Sequence, residues 1–224
     1  RSIMLDHLLK YREEFSQSGR VTISNLFPEN QVEQIYQDYL NSDTFNVAFM
    51  AGNTGPQGQA TMQLTTKGTE QYHKLTDQVY NLASRNIFTY RFSRTNWIQP
   101  LLYELWSSKI FSSYIEFITG QENLRWVKDS TFTSKYEGGD FLSPHTDKDN
   151  GRIAFVYQLT KDWLPGYGGL FMRMPDAVNV DVTILPQFNQ LTIFNVSGEG
   201  SPHMVTNVIP GLQKSRIAYS GWLA

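Results

Sequence analysis

The feature that most constrains the fold is the stretch from residue 124 to the C-terminal end, where short apolar runs alternate with turn signals. Gly- or Pro-containing turns separate the runs, for example Glu137-Gly138-Gly139, Pro165-Gly166 and Pro210-Gly211. This spacing is typical of many short antiparallel strands packed as a sandwich or jelly roll. The runs predict strands near 124–136, 142–147, 151–160, 169–174, 180–185, 190–195, 203–208 and 214–222.

The first half of the chain has a different, largely helical pattern. Helical spacing of apolar residues predicts helices over 3–17, from Pro28 to residue 40, over 69–86, and from Pro100 to Gly120. Short strands are expected at 21–23 and 87–92. Residues 44–68 are rich in Gly, Pro, Thr and Gln, which indicates strand ends around a mobile loop.

Together these patterns predict an α+β protein, mainly β: a jelly roll buttressed by N-terminal helices. We expect one domain over 1–224, in which 1–123 form a helical support and substrate-loop region and 124–224 form the β core. A chain of 224 residues with 40% apolar and 14% aromatic residues can bury a substantial core.

Composition excludes several classes of function. A formal net charge of −2 gives no support for nucleic-acid binding, and no apolar run is long enough to cross a bilayer. The chain has no cysteine, which rules out disulfides and thiolate chemistry and fits a cytoplasmic location. The oligomeric state is left open.

The stretch YEGGDFLSPHTD ends in a His-x-Asp pair, His145 and Asp147. On an extended segment, residues i and i+2 point to the same side, so the imidazole and the carboxylate would face one point. His203 begins a later predicted strand and supplies a second imidazole. Two histidines and one carboxylate suit Fe(II) and leave positions open for substrate and oxygen.

The last predicted strand carries a cation that needs an explanation. Strand alternation places Arg216, Ala218, Ser220 and Trp222 on one face, and the other face is apolar. Because a buried guanidinium is costly without an anion, Arg216 is a candidate for binding a carboxylate, and Ser220 can add a hydrogen bond.

At this point a family resemblance is evident. KYEGGDFLSPHTD, then RIAFVYQLTKDWLPGYGGLFMRM, then PHMV and SRIAYSGW resemble the 2-oxoglutarate/Fe(II)-dependent oxygenases, and within them the prolyl 4-hydroxylase-like branch. The similarity covers about 130–222. The run with Lys-Asp-Trp followed by a Gly pair is its most specific part.

The resemblance implies a double-stranded β-helix that uses Fe(II), 2-oxoglutarate and O₂. It assigns the catalytic metal to His145, Asp147 and His203, and the distal carboxylate of 2-oxoglutarate to Arg216 and Ser220. Two further assignments follow from it. Tyr136 corresponds to a pocket tyrosine, and Gln158 stands where many relatives carry a carboxylate-binding tyrosine, while Tyr157 points the other way. The aspartate at 147 speaks against halogenation, because halogenases of the family lack it.

The substrate is the least constrained part. Segments 44–68 and 90–97 are candidates to cover the iron site. Arg152 and Phe171 are candidates to line the barrel. A substrate carboxylate could pair with Arg91, Arg94 or Arg152. We expect hydroxylation of an unactivated C–H bond in an amino acid or related small molecule, with succinate and CO₂ as co-products. Prolyl hydroxylation of a protein or peptide is the alternative. A non-catalytic jelly-roll binding module is the rival from another class, and a zinc hydrolase is disfavoured because the motif supplies no general base.

Overall fold

The fold is described here from a computed structural model, which describes residues 2–51, 61–147, 149–196 and 202–224, with side chains from residue 6 onward. The nine-residue centre of the predicted 44–68 loop, 52–60, lies outside the described residues. None of the helices in the described ranges is both long and apolar enough to cross a membrane.

Five α-helices are present in the described residues, and they occupy the four regions that were predicted to be helical. The helices are α1 (Ser2–Ser18), α2 (Glu29–Leu40), α3 (Glu70–Ser84), α4 (Pro100–Ser107) and α5 (Lys109–Thr119). Local sequence explains their starts: Thr69 accepts a hydrogen bond from the Tyr72 amide at the start of α3, and Pro100 opens α4.

The single long helix predicted from Pro100 to Gly120 is wrong, because the structure divides it at Ser108. Ser108 has an extended backbone (φ −76°, ψ 142°), and its hydroxyl accepts a hydrogen bond from the amide of Phe111. A serine at an N-cap satisfies an amide that would otherwise lack a partner, so a second helix starts after Ser108. Gly120 ends α5 in the left-handed conformation, as predicted.

Twelve strands are present in the described residues, and all pair antiparallel. They are β1 (Arg20–Ser24), β2 (Asn46–Ala51), β3 (Met62–Thr65), β4 (Thr89–Thr95), β5 (Phe132–Tyr136), β6 (Phe141–His145), β7 (Ile153–Gln158), β8 (Phe171–Arg173), β9 (Val182–Ile184), β10 (Gln190–Asn195), β11 (His203–Val205) and β12 (Arg216–Leu223). Each predicted strand after residue 124 is represented, although 124–136 narrows to β5 preceded by a short 3₁₀ turn at Lys128–Ser130.

The strands run in the order β1-β10-β7-β12-β5-β4-β6-β11-β8-β9, with β2 and β3 added beside β4. β4 joins the two halves, because Ser93–Thr95 pair with β5 whereas Tyr90 and Arg91 pair with β6. The larger half (β1, β10, β7, β12, β5) and the smaller half (β6, β11, β8, β9) both contribute walls to one cavity. This is the mainly β jelly roll that the sequence predicts.

The other face of the larger half carries the main hydrophobic core. Alternate residues of β7 and β12, such as Phe155, Tyr157, Ile217 and Tyr219, are buried against apolar side chains of α2, α4 and α5, with Trp106 at the centre. The helices therefore support one face of the sheet, and the opposite face is left for the cavity.

Candidate active site

A cavity of about 590 Å³ lies between the two halves of the sheet. Most of its wall is aromatic or aliphatic, including Phe88, Tyr90, Phe92, Phe132 and Leu142. Its described charged side chains are few: Arg94, Asp147 and Arg216, with His145 and His203 beside them. An enclosed apolar wall with a few converging polar groups is the usual form of a small-molecule site.

His145 and His203 meet because their strands pair. The two residues lie directly opposite each other in the β6–β11 ladder, and their ring centroids are 4.2 Å apart. Both rings are held by aromatic neighbours: Phe88 lies 5.5 Å from the ring of His145, and Phe171 stacks 5.2 Å from the ring of His203. The register of two strands far apart in sequence thus builds the imidazole pair.

Asp147 lies just beyond the end of β6, not on the strand itself. The carboxylate still reaches both imidazoles: Oδ1 is 3.5 Å from Nε2 of His145, and Oδ2 is 3.3 Å from Nε2 of His203. The amide and side chain of Asn150 bond back to Asp147 and close the turn that follows. The ligand atoms of the three residues lie within 4.8 Å of one another, a spacing that one metal ion can bridge.

Hydrogen bonding prepares the cluster for a cation. Nδ1 of His145 lies 3.0 Å from the carbonyl of Ser143, which only accepts, so Nδ1 is protonated; Nε2 faces Asp147, where it donates to the carboxylate when it carries a second proton and can bind a cation when it does not. Burial opposes ionisation of Asp147, but hydrogen bonds with His145 and His203 outweigh it and hold the pKa of this carboxyl well below its usual range. A charged carboxylate between two Nε2 atoms fits a divalent metal.

Arg216 is the second polar feature of the cavity. It is 2% exposed, its guanidinium carbon lies 4.9 Å above the ring of Tyr136, and no carboxylate of the described residues forms an ion pair with it. Nε has no hydrogen-bond partner within the described part of the chain. Burial lowers the pKa of Arg216, because the charged form of the guanidinium is desolvated. A carboxylate of a bound molecule would offset this buried charge.

The Lys-Asp-Trp and Gly-Gly signature has a physical role beneath Arg216. The indole of Trp163 donates to the carbonyl of Gly168, and a Cβ at Gly169 would lie 3.1 Å from Cδ of Arg216. Both glycines have positive φ, and a Cβ at Gly168 would lie 1.8 Å from the carbonyl oxygen of Asn207. The signature therefore makes room for the arginine side chain.

The other residues expected near 2-oxoglutarate lie close to Arg216. Ser220 lines the cavity two residues along β12, and Tyr136 lies opposite Arg216 in the β5–β12 ladder. Gln158 pairs with Ala218 on the same sheet face, is buried, and its Oε1 has no hydrogen-bond partner among the described residues. Tyr157 points into the core and donates to Asn189, as expected.

The four residues suggested for substrate separate into two groups. Arg94 and Phe171 line the cavity. The structure does not bring Arg91 there, because its guanidinium bonds Asp140 at 2.6 Å and the carbonyl of Gly138 at 2.9 Å on the opposite face of β4. Arg152 also lies elsewhere, where it donates to the carbonyls of Glu122 and Asn123.

Sequence reasoning missed Tyr90, Phe132 and Asn150 as cavity residues. A signal was present for Tyr90. Strand alternation places Tyr90 and Phe92 on the face of Arg94, and Arg91 on the other. Segment 90–97, suggested as a cover for the iron site, is mostly β4 within the sheet.

Comparisons with known proteins agree with this geometry. Residues 131–224 match the family model of the 2OG-Fe(II) oxygenase superfamily. Among curated protein sequences none matches the chain.

Solved structures share the fold over nearly the whole chain. A prolyl-4-hydroxylase from Pseudomonas putida superposes with a TM-score of 0.58 at 17% identity, covering 96% of this chain and 97% of its own. A prolyl hydroxylase from Trichoplax adhaerens, solved with a hypoxia inducible factor oxygen degradation domain peptide, gives 0.58 at 15%, covering 100% and 93%. An oxidoreductase of the 2OG-Fe(II) oxygenase family from Burkholderia pseudomallei gives 0.58 at 12%, covering 97% and 89%.

The matched segment contains His145, Asp147, His203 and Arg216, and the whole fold follows prolyl 4-hydroxylases. Residues 131–224 therefore resemble the 2OG-Fe(II) oxygenase superfamily, whose members use Fe(II), 2-oxoglutarate and O₂, and the chain as a whole has a prolyl 4-hydroxylase-like fold.

Proposed function

We propose that this protein is a hydroxylase that oxidises an unactivated C–H bond of an amino acid or related small molecule. In this proposal His145, Asp147 and His203 bind Fe(II), and Arg216 and Ser220 bind the distal carboxylate of 2-oxoglutarate. The observation that carries it is that the metal cluster and the buried Arg216, which has no carboxylate partner in the described part of the chain, lie on the wall of one cavity.

The donor set supports iron chemistry. Two neutral imidazoles and one carboxylate occupy only part of an octahedral coordination sphere, so positions remain for a co-substrate and oxygen. When bound, the iron and 2-oxoglutarate supply the oxidising power, with succinate and CO₂ released. Asp147 and the two histidines fix the metal and do not act as acid or base.

The remaining cavity residues bind the co-substrate, orient the substrate and exclude water. Arg216 would offset the charge of a carboxylate that is otherwise costly to bury, with Ser220 as a second donor. Tyr136 supports the guanidinium from below, and Gln158 offers a polar side chain on the same sheet face. The aromatic wall, with Phe171 against His203, keeps water from the metal and restricts which carbon can approach it.

A proline in a protein or peptide is the second candidate substrate. It is favoured by the likeness to prolyl hydroxylases, one of them solved with a peptide. The size of the cavity favours the small molecule, because about 590 Å³ has room for 2-oxoglutarate together with a small substrate.

The proposal is tested in two steps with purified protein. Anaerobic addition of Fe(II) and 2-oxoglutarate is expected to give a weak visible charge-transfer band, and admission of air is expected to release succinate. Candidate amino acids, small acids and proline peptides are then screened for a mass gain of one oxygen. Absence of both the band and succinate would refute the oxygenase reading and favour a non-catalytic binding module.

A further inference from the structure

The cavity contains a second cation whose role the metal and 2-oxoglutarate leave unexplained. Arg94 lies on β4, and its neighbours on the same strand face, Tyr90 and Phe92, line the same cavity. Arg91, with a similar position in sequence, already has a carboxylate partner in Asp140. The charge of Arg91 is therefore offset by a carboxylate within the protein, and Arg94 has to be considered separately.

The contacts of Arg94 are all neutral. Its guanidinium carbon lies 4.1 Å above the ring of Phe132, NH1 lies 3.3 Å from the sulfur of Met62, and NH2 donates to Oδ1 of Asn96. No carboxylate in the described ranges of the chain forms an ion pair with it. Partial burial lowers the pKa of Arg94, and a hydrogen bond with the hydroxyl of Tyr90, which is also neutral, opposes this shift.

A second donor lies on the same wall. Trp222 lines the cavity next to Phe132, with ring centroids 6.4 Å apart. Its indole Nε1 is buried and has no hydrogen-bond partner among the residues that the structure describes. A guanidinium and an indole N–H around one aromatic ring can bind an anion, and neither group can accept a hydrogen bond.

Charge balance points to the same class of ligand. With the cofactors bound as proposed above, the charges of Fe(II), Asp147, Arg216 and the 2-oxoglutarate dianion cancel. Arg94 is then the one cavity cation described here that no described anion offsets. Arg94 is partly buried, and one excess positive charge on the cavity wall favours a ligand with one negative charge.

We infer that Arg94, with the indole of Trp222, binds the free carboxylate of the substrate, which is a small acid of single negative charge with an apolar body. The apolar part of the substrate would lie against Met50, Tyr90 and Phe132, between Arg94 and the metal cluster. An internal residue of a polypeptide has no such carboxylate, so the inference separates the two candidate substrates. It rests on the proposed function, because the charge balance assumes iron and 2-oxoglutarate.

Matched ligand pairs test the inference directly. N-acetyl-L-amino acids and their carboxamides differ in the carboxylate alone, and the amides resemble an internal residue of a peptide. Proline, valine, leucine, methionine and phenylalanine pairs are titrated by calorimetry or ligand-observed NMR into protein loaded with Zn(II) and saturating 2-oxoglutarate. Zn(II) prevents turnover, so binding is measured alone.

The wild-type protein is expected to bind at least one acid about 10- to 100-fold more tightly than its amide, as for a charge-assisted pair. Arg94→Gln should abolish this preference and leave the affinity for 2-oxoglutarate unchanged. Arg94→Lys should keep part of it, because the charge remains. Arg152→Gln is the matched control, since that arginine bonds backbone carbonyls outside the cavity, and it should behave as wild type.

Three results would overturn the inference: amides that bind as well as the acids, no binding of any acid, or an acid preference that survives in Arg94→Gln. If wild-type protein binds 2-oxoglutarate in the presence of metal, such results refute the substrate class alone. If it does not bind 2-oxoglutarate, the proposed function fails as well.

Discussion

At the scale of single residues, the site is defined by side chains whose charges are incomplete without a ligand. Asp147 lies between the Nε2 atoms of His145 and His203, at 3.5 and 3.3 Å. Arg216 is buried over Tyr136 with no carboxylate partner among the described residues. Such groups are costly to bury alone, so each identifies the charge of what it binds.

Asp147→Ala should remove metal binding, because it leaves only two imidazoles. Changes to groups that merely support metal ligands cost about 10–100-fold, so we expect succinate release to fall by at least about 100-fold. Iron content and the charge-transfer band measure the loss. Asp149→Ala removes an exposed carboxylate from the next turn and should have no effect. Full turnover in Asp147→Ala would refute the ligand assignment.

Arg216→Gln should weaken 2-oxoglutarate binding and leave metal binding intact. Loss of a charge-assisted hydrogen bond corresponds to about a 10- to 100-fold rise in the dissociation constant. Titration of 2-oxoglutarate into the Zn(II)-loaded protein measures it, and Arg152→Gln is again the control. An unchanged constant would mean that the co-substrate carboxylate binds elsewhere, with Arg94 as the first alternative.

At the scale of elements, the position of Arg216 depends on the turn before β8. Trp163 donates to Gly168, and Gly169 lies against the aliphatic part of Arg216 with φ +63°. A side chain at either glycine would meet both an unfavourable backbone conformation and a neighbouring group. The turn therefore supports the proposed carboxylate site, although it does not line the cavity.

Gly169→Ala should both destabilise the protein and displace Arg216. The left-handed conformation costs a residue with a Cβ about 1–2 kcal/mol, and the new Cβ would lie 3.1 Å from Cδ of Arg216. We expect a lower free energy of unfolding in urea and weaker 2-oxoglutarate binding. Gly166→Ala is the control in the same loop, because its Cβ would meet nothing within 4 Å. Equal behaviour of the two variants would contradict this role.

At the scale of the whole molecule, a buried ion pair links the helical half to the strands of the site. Arg91 of β4 bonds Asp140 in the turn before β6, and its guanidinium lies over the rings of Tyr72 and Tyr80 in α3. Asp140 also accepts from the amide of Glu137. The pair therefore joins α3, β4 and the turn that leads to His145.

Asp140→Asn should be strongly destabilising, because it leaves the buried guanidinium of Arg91 without a carboxylate. Breaking one partner of a buried pair costs about 3–5 kcal/mol. Urea unfolding measures the loss. The double variant Arg91→Met with Asp140→Leu removes both charges and should recover much of it. A double variant no more stable than the single one would show that the individual hydrogen bonds, and not the unpaired charge, dominate.

Most of the strands and the face that each side chain occupies could be predicted from local sequence. Alternating apolar residues and turn signals predicted each strand after residue 124, and the same alternation placed Arg216, Ser220 and Trp222 on one face of β12. Local patterns failed at Ser108, where a capping hydroxyl ends the helix despite a continuous apolar face, and at Asp147, which was predicted at the end of a strand but lies beyond the end of β6. The resemblance carried by the His-x-Asp, Lys-Asp-Trp and Gly-Gly motifs identified the chemistry.

What the sequence determined by itself was the set of groups: two imidazoles, a carboxylate and an arginine on strands of known alternation. Only the tertiary structure decided their arrangement, since the register of β6 against β11 places His145 opposite His203. It also decided which arginines face the cavity, because Arg91 pairs with Asp140 and Arg152 donates to backbone carbonyls outside it. The physical reason is that alternation fixes the face of a strand, whereas strand partners and ion-pair partners come from residues distant in the chain.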